Sequence, residues 1–136
     1  MTIADAKCEL KSYKHNLEYI KAKQQDIKEF RTRLESTVKP PTDMPGGGGD
    51  PKRFENDMAK LIDLQNEHSA FWLETERLRI NIERKISNLQ QPYKNILYMR
   101  YINWWSLEKI ALVMSYSCKH VYRIHGTALY EYSKRC

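Results

Sequence analysis

Four residues near the C-terminus share one face of a predicted helix, and their side chains could read a nucleic acid. Lys119, Tyr122, Arg123 and Gly126 follow the i, i+3, i+4, i+7 spacing of a helix that begins near Cys118. The guanidinium of Arg123 can donate two hydrogen bonds to O6 and N7 of guanine, and Lys119 can do the same or hold a phosphate. Gly126 would let a ligand approach the backbone closely. This face predicts contacts with base edges in the major groove of duplex DNA.

Residues beside this face could add polar contacts with the same ligand. Ser117, Cys118 and Tyr122 can make short hydrogen bonds near the start of the helix. Lys109 and Tyr116 are better placed for the sugar-phosphate backbone, which sets the register of a protein on DNA but reads no sequence. The predicted DNA-binding residues are therefore Ser117, Cys118, Lys119, Tyr122, Arg123, Lys109 and Tyr116.

Residues 107–126 show the pattern of a helix-turn-helix, the element that would present this face. The motif needs a small residue where its two helices cross, and Ala111 supplies it. Ser115 occupies the turn, where Gly is more usual because Gly adopts the left-handed conformation readily, and Ser117 can N-cap the second helix. An ordinary three-helix bundle with an exposed basic face is the alternative. The predicted inward positions are Ile110, Met114, Tyr116, Val121 and Ile124.

The segment before this motif predicts a short helix and a connection. Pro92 suits the first position of a helix, where its missing N–H costs nothing. Residues 93–101 then form a helix with Ile96, Leu97 and Tyr101 inward, and residues 103–106 connect it to the motif, with Ser106 as the next N-cap. Seven of the nine tyrosines follow residue 92, and with two tryptophans they predict a small aromatic core; stacking on unpaired bases is the alternative.

Charge is concentrated in this same part of the chain. The whole protein carries a formal net charge of +6. Residues 90–136 contain seven Lys or Arg against only Glu108 and Glu131, which leaves a local net charge of +5. Such an excess in one module is expected where it meets a polyanion, although a general solubility bias gives the same count.

The first two thirds of the chain predict two long helices. Apolar residues at three- and four-residue steps indicate a coiled-coil-like helix over 1–37 and a second helix over 54–89. Adjacent prolines and four consecutive glycines predict a flexible linker over 38–53. The two helices could pair within one chain or form a homodimer. The predicted fold is therefore all-α, with two long helices, the linker and a C-terminal helix-turn-helix domain over 90–136.

Several function classes are disfavoured by composition and spacing. Cys8, Cys118 and Cys136 are far apart, so they predict neither a disulfide framework nor a metal site. No nucleophile–base arrangement or cofactor loop is recognisable, and we predict neither an enzyme nor a cofactor. No apolar run approaches the roughly 20 residues of a membrane span, and with no secretion signal we expect a cytoplasmic protein without membrane partners.

Residues 93–102, 106–111 and 116–125, with Ala128-Leu129, together resemble region 4 of sigma-70-type factors. More narrowly, the chain is similar to the small sigma-like regulators of late genes in prophages of Gram-positive bacteria, the ArpU/RinA type. The family's DNA-reading positions fall on Cys118, Lys119, Tyr122 and Arg123. The resemblance implies double-stranded DNA as the partner, with RNA polymerase as a candidate second partner. The chain departs from the family at Trp104-Trp105 and at Ser115, where glycines are more usual.

The sequence therefore favours a sequence-specific DNA-binding transcriptional regulator of phage or prophage genes. Two alternatives remain open. A phage DNA-packaging recognition subunit, similar to small terminases, would also join a helix-turn-helix to oligomerising helices. A coiled-coil interaction protein without a nucleic-acid role would show no affinity for DNA at moderate salt.

Overall fold

A computed structural model describes residues 1–37 and 51–135, and within these ranges the protein is all-helical, without a β-strand. Five α-helices and one π-helical turn follow one another along the chain. They are α1 (Ile3–Thr37), α2 (Pro51–Ser87), α3 (Tyr93–Leu97), the π-turn (Tyr98–Ile102), α4 (Leu107–Met114) and α5 (Cys118–Ser133). Of the predicted linker over 38–53, residues 38–50 lie outside the described ranges. Residues 51–53 belong to α2, which begins three residues earlier than predicted, at a Pro that the first helical position tolerates.

Local chemistry sets the start of α1. The Asp5 backbone N–H donates to Thr2 Oγ1 at 3.1 Å, and the Thr2 backbone N–H donates to Asp5 Oδ2 at 3.0 Å. This reciprocal pair satisfies a backbone donor at the helix N-terminus that has no partner within the helix. Hydrogen bonding of its carboxylate to the Thr2 backbone N–H, and then to the Thr2 side chain, holds the pKa of Asp5 below its usual value.

The chain folds into two compact units, and the first unit contains the predicted DNA-binding residues. It comprises Met1–Leu17 together with the chain from Thr75 to its described end. Its main cluster joins the start of α1, the end of α2, the α3 segment and α5, so the core runs across the domain boundary predicted at residue 90. The buried members of that cluster are Ala6, Leu10, Tyr13, Ile82, Ile86, Leu89, Leu97, Tyr101, Ala128, Leu129 and Tyr132.

A polar network lies inside this apolar cluster. The Glu9 carboxylate accepts hydrogen bonds from Lys85 Nζ (3.0 and 3.1 Å), from Asn81 Nδ2 (3.0 Å) and from the Tyr132 hydroxyl (3.2 Å). Lys85 is buried, and its ammonium lies 5.3 Å from the centroid of the Tyr132 ring. Burial and then the adjacent Glu9 carboxylate raise the pKa of Tyr132. These contacts tie α1, α2 and the end of α5 together.

The second unit consists of residues 18–74, which contain the rest of α1 and the start of α2. Ile27, Leu34 and Leu61 form a small buried cluster, with Phe30 and Leu64 packed against it. Tyr19 and Phe71 contact edge to face, with 5.1 Å between their ring centroids. The apolar positions that predicted the long helices therefore also supply the buried side chains of this unit.

The segment before α4 differs from prediction in detail. The α-helix starts at Tyr93, with Pro92 at its N-cap, and ends at Leu97; the chain then continues as the π-turn, in which the Asn103 N–H donates to the Tyr98 carbonyl. The inward residues Ile96, Leu97 and Tyr101 are buried as predicted. The predicted aromatic core is wrong for most of its members, because only Tyr101 and Tyr132 of the seven tyrosines are buried and four are exposed: Tyr98, Tyr116, Tyr122 and Tyr130.

None of the helices in the described ranges combines the length and apolar character that crossing a membrane requires.

Candidate nucleic-acid interface

Three serines define the ends of helices α4 and α5: Ser106 precedes α4, and Ser115 and Ser117 lie in the tight turn that joins the two helices. Ser106 N-caps α4, because its Oγ accepts from the Lys109 backbone N–H at 3.1 Å. Ser117 N-caps α5 in the same way, accepting from the His120 N–H at 3.1 Å. Both N-caps were predicted from the sequence. The capping serines fix the residues at which the two helices begin.

Ser115 ends α4 in the left-handed conformation, with φ 59° and ψ 37°. Its N–H donates to the Leu112 carbonyl at 3.3 Å, and the next N–H, of Tyr116, donates to the Ala111 carbonyl at 2.9 Å. These two bonds form the Schellman arrangement that closes a helix and redirects the chain. Trp104, before α4, also has a positive φ of 61°. Trp104 and Ser115, which depart from the glycines of the resembled family, are thus the two non-glycine residues with a positive φ in the described ranges.

A second cluster of the first unit, here the turn cluster, holds α4 against α5. Its buried members are Ile96, Leu107, Ile110, Ala111 and Val121, and the half-buried Met99, Trp105, Met114 and Ile124 pack against them. Five of the six positions predicted to face inward at the crossing therefore lie in this cluster. The prediction for Tyr116 is wrong: this residue is exposed, and its ring packs edge to face on His120 with 4.8 Å between centroids.

The opposite face of α5 is exposed, and it carries the residues predicted to read DNA. Val121, Ala128 and Leu129 are buried on one side of α5, so the residues on the opposite side of the helix point to solvent. No atom lies within 4 Å of the position that a Cβ would take on Gly126, so the backbone is open to a ligand there. All seven predicted DNA-binding residues are exposed: Ser117, Cys118, Lys119, Tyr122, Arg123, Lys109 and Tyr116. Their contact with DNA stays a prediction.

Four of these residues already have partners: besides the Ser117 cap and the Tyr116 ring contact described above, Tyr122 and Lys109 have side-chain partners on the surface. The Tyr122 hydroxyl donates a hydrogen bond to Glu108 Oε1 at 3.1 Å, which links the exposed face of α5 to the first turn of α4. The pKa of Glu108 is lowered by its own backbone N–H and then by Tyr122, and the pKa of Tyr122 is raised by Glu108. Lys109 Nζ lies 4.2 Å from the centroid of the Trp105 ring, a cation–π contact that leaves the lysine exposed.

A half-buried histidine supports α5 from behind. The Tyr101 hydroxyl and His125 Nε2 lie 2.8 Å apart and share a hydrogen bond, and the two rings are stacked. Burial, and then the positive charges of Arg100, Lys7 and Lys11, lower the pKa of His125 to about 4. The imidazole is therefore neutral at neutral pH, and it orients α5 without adding charge.

The described residues contain no group of three or more His, Cys, Asp or Glu side chains that could hold a metal ion. Cys8 and Cys118 are exposed free thiols. Comparisons with models of protein families, with curated proteins and with solved structures find no match for this chain.

Sequence reasoning missed two residues of this surface, Glu108 and Trp105. Glu108 is one of only two acidic residues in the basic segment from residue 90 onward, and it lies in the first turn of the predicted first helix of the motif. The isolation of Glu108 among basic residues was the feature of the sequence that could have pointed to it. Nothing in the spacing indicated that Trp105 would lie beneath Lys109, because the path of the connection depends on the left-handed Trp104.

Proposed function

We propose that the protein is a sequence-specific, double-stranded DNA-binding transcriptional regulator, in which α4 and α5 form a helix-turn-helix and α5 enters the major groove. The observation that carries this proposal is the exposed row of Lys119, Tyr122 and Arg123 on α5, whose opposite face is buried in the core. A helix held in this way presents hydrogen-bonding groups at fixed positions to base edges, as direct readout requires.

The charge of the surrounding surface supports the proposal. Acidic residues are scarce from residue 90 onward, so α5 can approach phosphates with little repulsion. Lys109 and the exposed N-terminal turn of α5 are suited to the sugar-phosphate backbone, which would fix the register of the helix. In this proposal Arg123 reads guanine, and Lys119 reads a neighbouring acceptor or holds a phosphate.

Exposed apolar residues favour a protein partner in addition to DNA. Leu112 and Val113 on α4 are 82% and 54% exposed and adjacent in the chain, so together they form a small exposed apolar surface. In line with the sigma region 4 resemblance, we assign these two residues to contact with RNA polymerase. Phe54, Met58 and Ile62 on α2 are also exposed at four-residue steps, which favours the homodimer alternative given above for the long helices.

Selection from a random duplex library tests the proposal. The protein should recover a defined motif and bind it on the order of a thousandfold more tightly than scrambled DNA at physiological salt. A two-fold symmetric motif with half-sites about 10 bp apart would indicate a dimer. A ring of about eight or more subunits in solution would instead favour DNA packaging, and the absence of any DNA affinity at moderate salt would favour an interaction protein.

A further inference from the structure

The hydrogen bond between Tyr122 and Glu108 joins the exposed row of α5 to one of the two carboxylates from residue 90 onward. A carboxylate beside the expected path of DNA is repelled by phosphates, so it weakens non-specific binding. The same carboxylate holds the hydroxyl of Tyr122, a residue placed between Lys119 and Arg123 on the reading face. The pair is therefore positioned to influence which base is read.

The chemistry of the pair limits what it can recognise. A phenol carries one O–H proton, and an ionised carboxylate is a stronger acceptor for it than a neutral base atom. With this proton donated to Glu108, the Tyr122 oxygen keeps only lone pairs, and the carboxylate offers only acceptors. Lys119 and Arg123 have the opposite character, because an ammonium and a guanidinium can only donate.

We propose that Tyr122 and Glu108 act as one acceptor-only unit that selects adenine or cytosine on the strand it faces. The inference rests on the proposed function, since it assumes that α5 lies in the major groove. There adenine presents N6 and cytosine presents N4 as donors, whereas guanine and thymine present only acceptors. Tyr122 touches the base, and Glu108 is the residue that orients its hydroxyl. The preferred site then contains a guanine, read by Arg123, next to a position restricted to adenine or cytosine.

The test is a binding profile over every single base-pair substitution of the selected site. We would compare the wild-type chain with Tyr122→Phe and Glu108→Gln by fluorescence anisotropy. Tyr130→Phe is the matched control, because Tyr130 is also exposed on α5, where its ring lies 4.3 Å from Lys134 Nζ. Thermal unfolding followed by circular dichroism checks that each variant folds, which is expected because the substituted side chains are exposed.

The wild-type protein should favour adenine or cytosine over guanine or thymine by about tenfold at one position. Tyr122→Phe should reduce this ratio to about twofold or less, because the acceptor is gone. Glu108→Gln should reduce it in part, because the neutral amide oxygen accepts the phenol proton less strongly than a carboxylate, so that proton is more readily donated to O6 of guanine or O4 of thymine. The guanine preference assigned to Arg123 should persist in both variants, and Tyr130→Phe should match wild type.

Two results would overturn the inference, and they separate it from the proposed function. If the wild-type protein binds a defined site but no position prefers adenine or cytosine, or if both variants keep that preference, the acceptor unit is wrong while specific DNA binding stands. If the wild-type protein binds every duplex equally, the proposed function fails and the inference fails with it.

Discussion

The buried Lys85 and the half-buried Glu9 form an ion pair, with 3.0 Å between Nζ and Oε2, that joins α2 to α1 directly beside Tyr132 at the end of α5. The remaining acceptor sites of the carboxylate are used by Asn81 and Tyr132, so the charge is surrounded by donors. The buried Lys85 ammonium is tolerated because the Glu9 carboxylate neutralises its charge and accepts its hydrogen bonds. The pair thereby makes the position of α5 depend on the two long helices.

Replacing the carboxylate should therefore destabilise the fold. Glu9→Gln keeps the shape of the side chain but leaves the Lys85 ammonium buried without a counter-charge, and we expect a loss of about 3 kcal/mol in the free energy of unfolding. Adding Lys85→Met should restore at least half of that loss, because the uncompensated charge is then removed. Urea denaturation of the single and double variants measures both effects.

The exposed ion pair between Arg79 and Glu83, 3.1 Å apart, provides the control. Glu83→Gln should cost less than about 1 kcal/mol, since exposed pairs contribute little. Equal losses for Glu9→Gln and Glu83→Gln would show that the buried pair has no special role in holding the three helices together.

Ser115 offers a stabilising substitution. A non-glycine residue in the left-handed region costs about 1–2 kcal/mol, whereas Gly adopts this conformation without steric penalty but loses more entropy on folding. Ser115→Gly should therefore raise the free energy of unfolding by about 0.5–1 kcal/mol. Its matched control is Ser117→Gly, in which the N-cap is lost and stability should not increase. A destabilised Ser115→Gly protein would contradict the assigned turn.

The stability of the first unit should fall in acid because of His125. Its pKa in the folded protein is about 4, below the ordinary value of 6.5, owing to burial and then to the charges of Arg100, Lys7 and Lys11. The unfolded chain then binds a proton that the folded chain does not, so stability is complete above pH 6.5 and declines as the pH falls toward 4. Since the ring is partly exposed, we expect a loss of about 1–2 kcal/mol.

Chemical denaturation at pH 7.5 and pH 4.5 measures this difference. In His125→Gln the decline should shrink by the amount assigned to the imidazole, whereas His15→Gln, which alters an exposed residue of α1, should retain it. A His125→Gln protein with the same pH dependence as the wild type would assign the acid sensitivity to other groups.

The parts of the fold that depend on residues close together in the sequence could be predicted. The long helices follow from apolar spacing, and the N-caps at Ser106 and Ser117 follow from side-chain chemistry within three residues. The buried position of Val121 and the exposure of Arg123 follow from helical period once the start of α5 is known. The prediction that Tyr116 points inward was wrong. Its N–H is used to close the end of α4, and its ring packs on His120. This detail of the turn cannot be derived from the spacing of apolar residues.

Contacts between distant residues could not be predicted in this way. Glu9 and Lys85 are 76 positions apart, and no local pattern marks either residue as buried. The hydrogen bond between Glu108 and Tyr122 spans 14 positions and depends on the crossing of α4 over α5. Each of these residues is unremarkable by itself in the sequence, and only the packing of separate helices brings the two partners of a pair together.

Titration of the wild-type and Arg123→Ala proteins against the selected duplex and a scrambled duplex, at two salt concentrations, measures whether α5 reads base sequence. Loss of the guanidinium should cost about 1–3 kcal/mol on the selected site and much less on scrambled DNA, because a base contact is lost. Lys134→Ala removes an exposed positive charge near the end of α5 and should weaken binding to both duplexes by the same small factor. An equal loss on both duplexes for Arg123→Ala, with binding that disappears as salt rises, would contradict the account and leave only a basic face that meets phosphates.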